Sequence, residues 1–285
     1  MVAYRFCRPD DMPLICRAVN ACYNAFFPGK PRLTLEALRS EIQEESVWVS
    51  NAMVAREGEE PIGVLVGTKR PEEVLIHRIG VRRDYQRRGH GRHMLTSLSQ
   101  KLAVLGPPRL IAEIPADRRD LLQFFEASSY RREVSFTDFL REEGPRQAIP
   151  EGLVFPITLE EVREYGFLEV GSEVAWRRSR ATLEGRGAGL EGWGVGAAEQ
   201  LEAFVLGRSA DPPESFFDIL YWGCRDADRS ALFLGLLSRF VEGQGRGPLR
   251  LPRMSEREVS QYDLDALGFR AGRSYLRYAA EATPA

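Results

Sequence analysis

Apolar residues recur along this chain at two spacings, and the alternation between them outlines the elements. Tyr4 to Cys7 starts a short strand, and Pro9, Asp10 and Asp11 then open a helix predicted over 12 to 26, in which Leu14, Ile15, Ala18, Val19 and Cys22 share one face. Pro28, Gly29 and Pro31 end that helix, and Thr34 caps a second one running to Glu45. Three β-rich runs follow, at 47 to 57, 61 to 69 and 73 to 81, separated by Gly58 to Glu60 and by Arg70 and Pro71. A helix is predicted over 91 to 105, a strand over 108 to 115, a helix over 118 to 128 and a strand over 130 to 140.

The same order returns in looser form. Gly152 to Ile157 reads as a strand and Leu159 to Val170 as a helix. Strands are expected at 191 to 198, 200 to 207 and 215 to 222, a helix at Ser230 to Val241 and a strand at Pro248 to Arg253, before a last unit ending in LDALGFRAGRSYLRYA. Gly268 and Phe269 stand 139 positions after Ser129 and Tyr130, and helix 91 to 105 maps onto 230 to 241 at nearly the same offset. An internal duplication accounts for both coincidences. The polar segment REEGPRQAIPEG carries two prolines and two glycines, so the expected division is a domain over 1–141, a linker over 142–151 and a second domain over 152–285.

Composition sharpens this outline. With 285 residues and 44% hydrophobic positions the chain has ample material for two cores. No apolar run reaches the length of a membrane span, and the charged N-terminus lacks a signal-like apolar region. Cys7, Cys16, Cys22 and Cys224 form no CxxC pair and read as reduced thiols, which together with the N-terminus points to a cytoplasmic protein. The 39 basic and 41 acidic residues leave a net charge of −2, which argues against a nucleic-acid binder that works by neutralising phosphates. That balance hides a local excess. Six arginines (Arg78, Arg82, Arg83, Arg87, Arg88 and Arg92) stand against Asp84 alone in the stretch from 78 to 92.

Within that stretch a β-branched strand ends at Val81, and Gly89 and Gly91 precede a helix. Glycines at a helix start let backbone N–H groups approach an anion, and the helix dipole adds to the attraction, so the stretch reads as a phosphate cradle. It is neither a P-loop nor GxGxxG. Gln86-Arg87-Arg88-Gly89-His90-Gly91 matches (Q/R)xxGx(G/A), and with the preceding strand and the element order over 4 to 140 the first half resembles the GNAT superfamily of acyl-CoA N-acyltransferases.

The resemblance implies an α/β (α+β) fold, with two GNAT-like domains each built on a mixed, largely antiparallel twisted sheet flanked by helices. It implies that Gln86, Arg87, Arg88, Gly89, His90, Gly91 and Arg92 hold the pyrophosphate of acetyl-CoA. Ile79 and Val81 would pair with the pantetheine arm, with Gly80 at an expected bulge. An amine would attack the thioester directly where two strands splay. Such attack needs a base. His77, placed by period-two counting on the strand face of Ile79 and Val81, resembles the histidine of an H-x-(L/I)-x-V strand found in some members, and Glu113 is a second candidate. Leu75 stands where other members carry a glutamate. In LLQFFEASSYRR, Phe125 replaces the tyrosine that usually protonates the departing thiolate, and Arg118 replaces an upstream asparagine; Ser128, Ser129 or water are the remaining donors. His90 and His93 find no third partner at metal-ligand spacing, so no metal is expected.

In the second half the cradle position reads Gly223-Cys224-Arg225-Asp226-Ala227-Asp228-Arg229, where two aspartates would repel a pyrophosphate. This half is read as a degenerate copy, with Trp176, Trp193 and Trp222 assigned to its core. The expected function is acetyl transfer from acetyl-CoA to a primary amine of a small molecule or peptide, with no nucleic-acid or membrane partner, by a monomer or homodimer. A non-catalytic acyl-CoA-binding or regulatory module, and a scaffold that recognises peptides without CoA, are the alternatives.

Overall fold

The computed structural model describes residues 1–27, 31–142, 152–167, 174–186, 189–197, 200–210 and 215–284. Positions 143–151 of the expected linker, 28–30 of the expected turn and 168–170 of an expected helix lie outside the described residues. Two compact units result, and neither is continuous in sequence. The first comprises Met1–Ile114, Arg118–Glu133 and Arg277–Ala285; the second comprises Pro115–Asp117 and Val134–Leu276.

The first unit contains β1 (Val2–Phe6), α1 (Met12–Cys22), α2 (Leu35–Glu44), β2 (Met53–Glu57), β3 (Glu60–Lys69), β4 (Glu73–Val81), α3 (His90–Leu105), β5 (Arg109–Pro115) and α4 (Arg119–Glu126). Its sheet runs β1-β2-β3-β4-β5, antiparallel as far as β4 and parallel between β4 and β5. Beyond β5 the next place is taken by the last strand of the chain, through its Arg277–Glu281 end. The Ala282 N–H donates to the Pro108 carbonyl, and Arg277 reaches Glu113.

Alternation along the strands sorts the helices onto faces. Val54, Val64 and Val66 form one buried cluster with Leu14, Ile15, Ala18, Val19 and Cys22 of α1 and Leu38 of α2. Gly63, between Val64 and Ile62, opens the other way, and a Cβ there would stand 3.2 Å from Met94 of α3.

The expected element boundaries shift where side chains bind the backbone. Helix α1 stops at Cys22 and gives way to a 3-10 turn over Asn24–Phe26. There Asn24 Nδ2 donates to Asn20 Oδ1 at 3.0 Å and to the Pro31 carbonyl at 3.3 Å, which pulls the chain off the helix axis. Thr34 caps α2 as expected, its side chain accepting from the Ala37 N–H. The run predicted as a strand from 47 extends only over Met53–Glu57: Ser46 turns the chain at φ 60°, Val47 makes an isolated bridge to Thr68, and Val49–Asn51 form a 3-10 turn.

The second unit repeats the pattern with β6 (Arg131–Arg141, from Val134 on), β7 (Val154–Pro156), α5 (Leu159–Glu164), α6 (Arg180–Arg186), β8 (Glu191–Ala197), β9 (Gln200–Ser209), β10 (Phe217–Cys224), α7 (Ser230–Gly243), β11 (Leu249–Met254), α8 (Gln261–Ala266) and β12 (Arg270–Glu281, as far as Leu276). Its strand order β7-β8-β9-β10-β11 matches that of the first unit, again antiparallel until the parallel β10 and β11 pair. Strand β6, which follows α4 in sequence, pairs with β11 through Leu140 and Arg250. Each unit is therefore closed by a strand lent from the other half of the chain. Phe233, Leu234, Leu237 and Val241 of α7 pack with Val205, Ile219, Leu249 and Leu251 in its core, and Trp176 is 1% exposed.

Candidate active site

The parallel strands of the first unit pair only at Glu73 with Arg109, Val74 with Leu110 and Leu75 with Ile111, after which they part. The gap opens beside the lower half of β4, whose outer edge stays paired with β3 through Val81. A backbone edge exposed inside a sheet can hydrogen-bond an extended ligand as a strand would.

At the end of β4 the loop from Arg82 to Gly89 feeds α3. Arg87 and Gly89 adopt left-handed conformations, with φ 60° and 86°, and Gln86 Nε2 ties the loop down by donating to the Val81 carbonyl at 2.9 Å. Gly89 is the N-cap of α3, and no side chain caps the helix. The first helical bond runs from the His93 N–H to the Gly89 carbonyl, so the amides of the opening turn point outward as anion donors. Nothing stands within 4 Å of where a Gly89 Cβ would sit, which leaves that space open to a phosphate. Gly91 serves packing instead, since a Cβ there would lie 3.1 Å from the Phe124 ring.

The arginines divide by partner. Arg82 pairs with Asp84 and lies over the Tyr85 ring; Arg83 lies over Phe26, and Arg92 Nη2 donates to the Ala127 carbonyl at 3.1 Å. Among the described residues Arg87 and Arg88 form no salt bridge at contact distance, Arg88 acting on Asp84 only through its charge, and Arg88 rests its guanidinium 5.3 Å from the centre of Tyr85. His90 Nδ1 meets the Tyr4 hydroxyl, and the His93 ring stands 4.0 Å from that of Tyr4, so both histidines contact β1.

His77 requires a correction. The register passes from Val66 with Arg78 to Gly67 with Ile76, so His77 is the extra residue of a β-bulge, and Gly80, where the bulge was expected, pairs regularly with Val64. A bulge places two successive side chains on one side of a sheet and reverses the alternation beyond it. His77 and Arg78 consequently both reach Glu41 of α2. Gly80 points the same way, because a Cβ there would meet the backbone of Cys22. Val81 lies opposite, toward Gly91 of α3. His77 thus does not share the face of Ile79 and Val81, contrary to the expectation from period-two counting.

The bulge assembles a cluster absent from the sequence reading. Arg78 donates to both Glu41 carboxylate oxygens, at 2.6 and 2.7 Å. His77 Nε2 lies 3.8 Å from Glu41 and Nδ1 lies 3.7 Å from Glu45, the residue that ends α2. Burial works against ionisation of Glu41, but the hydrogen bond from Arg78 and the contact with His77 outweigh it and hold the carboxyl at about 2. Burial, and then the Arg78 charge, push the His77 imidazole below its ordinary value, while Glu41 and Glu45 pull it back up. The spacing of Glu41 and Glu45 by one helical turn was a usable signal. Which strand residues they would meet was not readable.

The other candidates take structural positions. The Glu113 side chain is 1% exposed and accepts from Arg277 Nη2 at 2.7 Å. Leu75 and Phe125 are buried, the Phe125 ring edge-on to Tyr130. Ser128 Oγ donates to the Phe124 carbonyl at 2.8 Å, and Arg118 pairs with Asp120.

In the second unit the corresponding parallel strands also part, after Asp218 and Arg250. Helix α7 likewise begins without a side-chain cap, but the preceding turn holds Asp226 and Asp228, and Asp226 accepts the Asp228 N–H at 3.0 Å. Arg225 is turned inward to the carbonyls of Leu201 and Tyr165, each at 2.7 Å. Its cradle position is thus lined by carboxylates.

A family model for the acetyltransferase (GNAT) family matches residues 14–130. Among solved structures, a GCN5-related N-acetyltransferase from Sphaerobacter thermophilus superposes with a TM-score of 0.69 at 16% identity, over 99% of this chain and 96% of that one. A tandem GNAT protein from the clavulanic acid biosynthesis pathway gives 0.64 at 16% identity over 100% of both chains. A GCN5-related N-acetyltransferase from Anabaena variabilis gives 0.64 at 10% identity, over 99% and 73%. At these identities the likeness is one of fold. Comparison with curated protein sequences gives no match.

Proposed function

We propose that the first unit transfers acetyl from acetyl-CoA to a primary amine by direct attack, a reading supported by the match of residues 14–130 to the GNAT-family model and by the chain's likeness in fold to a tandem GNAT protein. The observation that carries this reading is the parting of β4 and β5 beside an uncapped, glycine-started helix. Together they suit a ligand with an extended arm and a pyrophosphate. The outward amides of His90, Gly91 and Arg92 would bind the pyrophosphate, with Arg87 and Arg88 adding charge, while the freed edge of β4 at Ile79 and Val81 would align the arm. Both fit residues that are already oriented for the task without a ligand, which lowers the ordering cost of binding.

In this reading His77 is the base. Burial shifts its imidazole toward the neutral form, and it stands on the α2 side of β4 beside Glu41 and Glu45. Glu113, committed to Arg277, supports the strand. The second unit is assigned no nucleotide, because its carboxylates would face phosphates at close range. The buried Phe125 favours one other reading, an acyl-CoA-binding protein without turnover.

Two measurements test the proposal. Calorimetry with acetyl-CoA should show binding that Gly89→Glu abolishes and Gly89→Asn, which tolerates the left-handed conformation without adding charge, largely keeps. Full binding by Gly89→Glu would remove the cradle from the proposal. Thiol release across an amine panel should fall at least about a hundredfold in His77→Ala, the lower end of what a positioned general base contributes. Tight binding with no turnover on any amine would favour the non-catalytic reading.

A further inference from the structure

The second unit repeats the bulge as well as the fold. In its ladder Ile219 lies opposite Gly207 and Tyr221 opposite Leu206, as Ile76 lies opposite Gly67 and Arg78 opposite Val66 in the first unit. Leu220 is therefore the extra residue, at the position of His77, and its side chain carries no titratable group. Strands β10 and β11 pair only at Phe217 with Leu249 and at Asp218 with Arg250. Leu220 and Arg253 both lie beyond those pairs, where the strands have parted.

A guanidinium joins the two sides of the gap. Arg178, 1% exposed, donates from Nε to the Leu220 carbonyl at 2.9 Å and from Nη1 to the Arg253 carbonyl at 3.2 Å. Its Nη1 and Nη2 also grip the two oxygens of Glu258, at 2.9 and 2.6 Å. Glu258 is held in turn by the Ser255 N–H and hydroxyl. The 3-10 turn Trp176–Arg178 delivers the side chain, and the carbonyl of its buried Trp176 accepts from Ser179 and Thr182. Arg253 takes a left-handed φ of 49°, and its N–H donates to Asp138 of β6, so both ends of that residue are tied. In the first unit this place in the element order belongs to α2, which brings Glu41 to the bulge. The charge delivered to the bulge is thus reversed in the second unit.

We propose that the gap of the second unit is a guanidinium site, filled by the chain's own Arg178 and closed by it to acyl thioesters. The lining selects the ligand. Two carbonyls and a carboxylate offer acceptors only, and the guanidinium meets them with four of its five N–H groups. An acyl thioester needs the opposite, because its carbonyl oxygen gathers negative charge during attack and is stabilised by donors. To enter, it would have to displace Arg178 and strip Glu258 and both carbonyls of the donors that serve them. Asp226 and Asp228 before α7 repel phosphates; Arg178 excludes the arm and the acyl group as well. That the chain carries one acyl-CoA site rests on the reading above, whereas the filling of the second gap does not.

Two measurements on the full chain test this. The atoms that Arg178→Ala removes are those of ethylguanidinium, which is therefore the probe. The variant's unfolding equilibrium constant should rise at least about a hundredfold, the low end for removing one member of a buried ion pair. Millimolar ethylguanidinium chloride should reverse part of that rise, by the factor 1 + [L]/Kd that binding to the folded state imposes. Sodium chloride at equal ionic strength should not, and the wild type should respond to neither salt. An Arg178→Ala protein as stable as the wild type, or a destabilised one indifferent to ethylguanidinium, would overturn the proposal. The second measurement is hydrogen exchange of the wild type with and without acetyl-CoA, which depends on no variant folding. Peptides over 217–229 should keep their exchange rates while those over 73–91 slow. Slowed exchange over 217–229 as well would show that the second gap admits the thioester, and its closure would fall. Unchanged exchange over 73–91, with rescue by ethylguanidinium intact, would instead remove the acyl-CoA reading of the first unit and leave the guanidinium site standing.

Discussion

Gly80→Ala isolates the effect of the bulge in a single methyl group. If β4 ran regularly from Ile76, residue 80 would face α3; because His77 is an extra residue, it faces α1. There a Cβ would overlap the Cys22 carbonyl oxygen and stand 2.8 Å from its carbon and 2.9 Å from Tyr23 Cα. Carbon atoms in contact sit about 3.5–4.0 Å apart, so the overlap approaches 1 Å and falls on backbone, which cannot rotate away. Helix α1 must then withdraw from the sheet at its C-terminal end, loosening Val19 and Cys22, both fully buried. Overpacking of this kind costs about 1–3 kcal/mol, and the absence of any flexible neighbour puts this case at the upper end. At about 2–4 °C per kcal/mol for a chain of this size, the melting transition of the first unit should fall by roughly 6–12 °C. Gly89→Ala is the control. It carries a left-handed φ of 86° but has open space around it, so only the backbone penalty of about 1–2 kcal/mol applies. Urea and thermal unfolding of both variants decide the matter. A Gly80→Ala protein as stable as the wild type would mean that residue 80 does not face α1, and the placement of His77 against Glu41 would fall with it.

Two further outcomes are expected. Arg277→Met leaves the Glu113 side chain, 1% exposed, without the partner that reaches it from the last strand; loss of one member of a buried pair costs about 3–5 kcal/mol, and Arg70, which also acts on Glu113, moves the expectation to the low end. Chemical denaturation reads the loss, and an Arg277→Met, Glu113→Leu double variant should regain most of it; no loss in the single variant would show that the strand is held by its backbone bonds alone. The Glu41 carboxyl, despite its burial, is held at about 2 by Arg78 and His77, whereas an unfolded glutamate titrates near 4.3. The folded state therefore binds fewer protons between those values, and the stability this contributes is complete above about pH 5 and fades as pH falls toward 2. Arg78→Met should flatten the acid limb of a stability profile in that window, and equal slopes in both proteins would refute the assignment.

The element order, both copies of the fold and the glycine-started loop were legible in the sequence, because each rests on local spacing. Gly89 before an apolar-faced helix and the run from His77 to Val81 announce themselves within fifteen residues. Period-two counting put His77 on the wrong face. Counting by two assumes a regular ladder, and whether a strand slips by one residue is decided by its partner, here Val66 and Gly67. Glu113 looked like any strand carboxylate until a guanidinium 164 positions further on was brought against it.

Local spacing thus determined what kind of unit this chain builds, how many times, and where a glycine-started helix without a side-chain cap follows β4. Tertiary structure decided which strand closes each unit, which side of the sheet His77 serves and what stands beside it. The physical reason is common to all three: hydrogen-bond registers and ion pairs between distant segments are chosen by the fit of whole surfaces, and no window of sequence contains both sides of that fit.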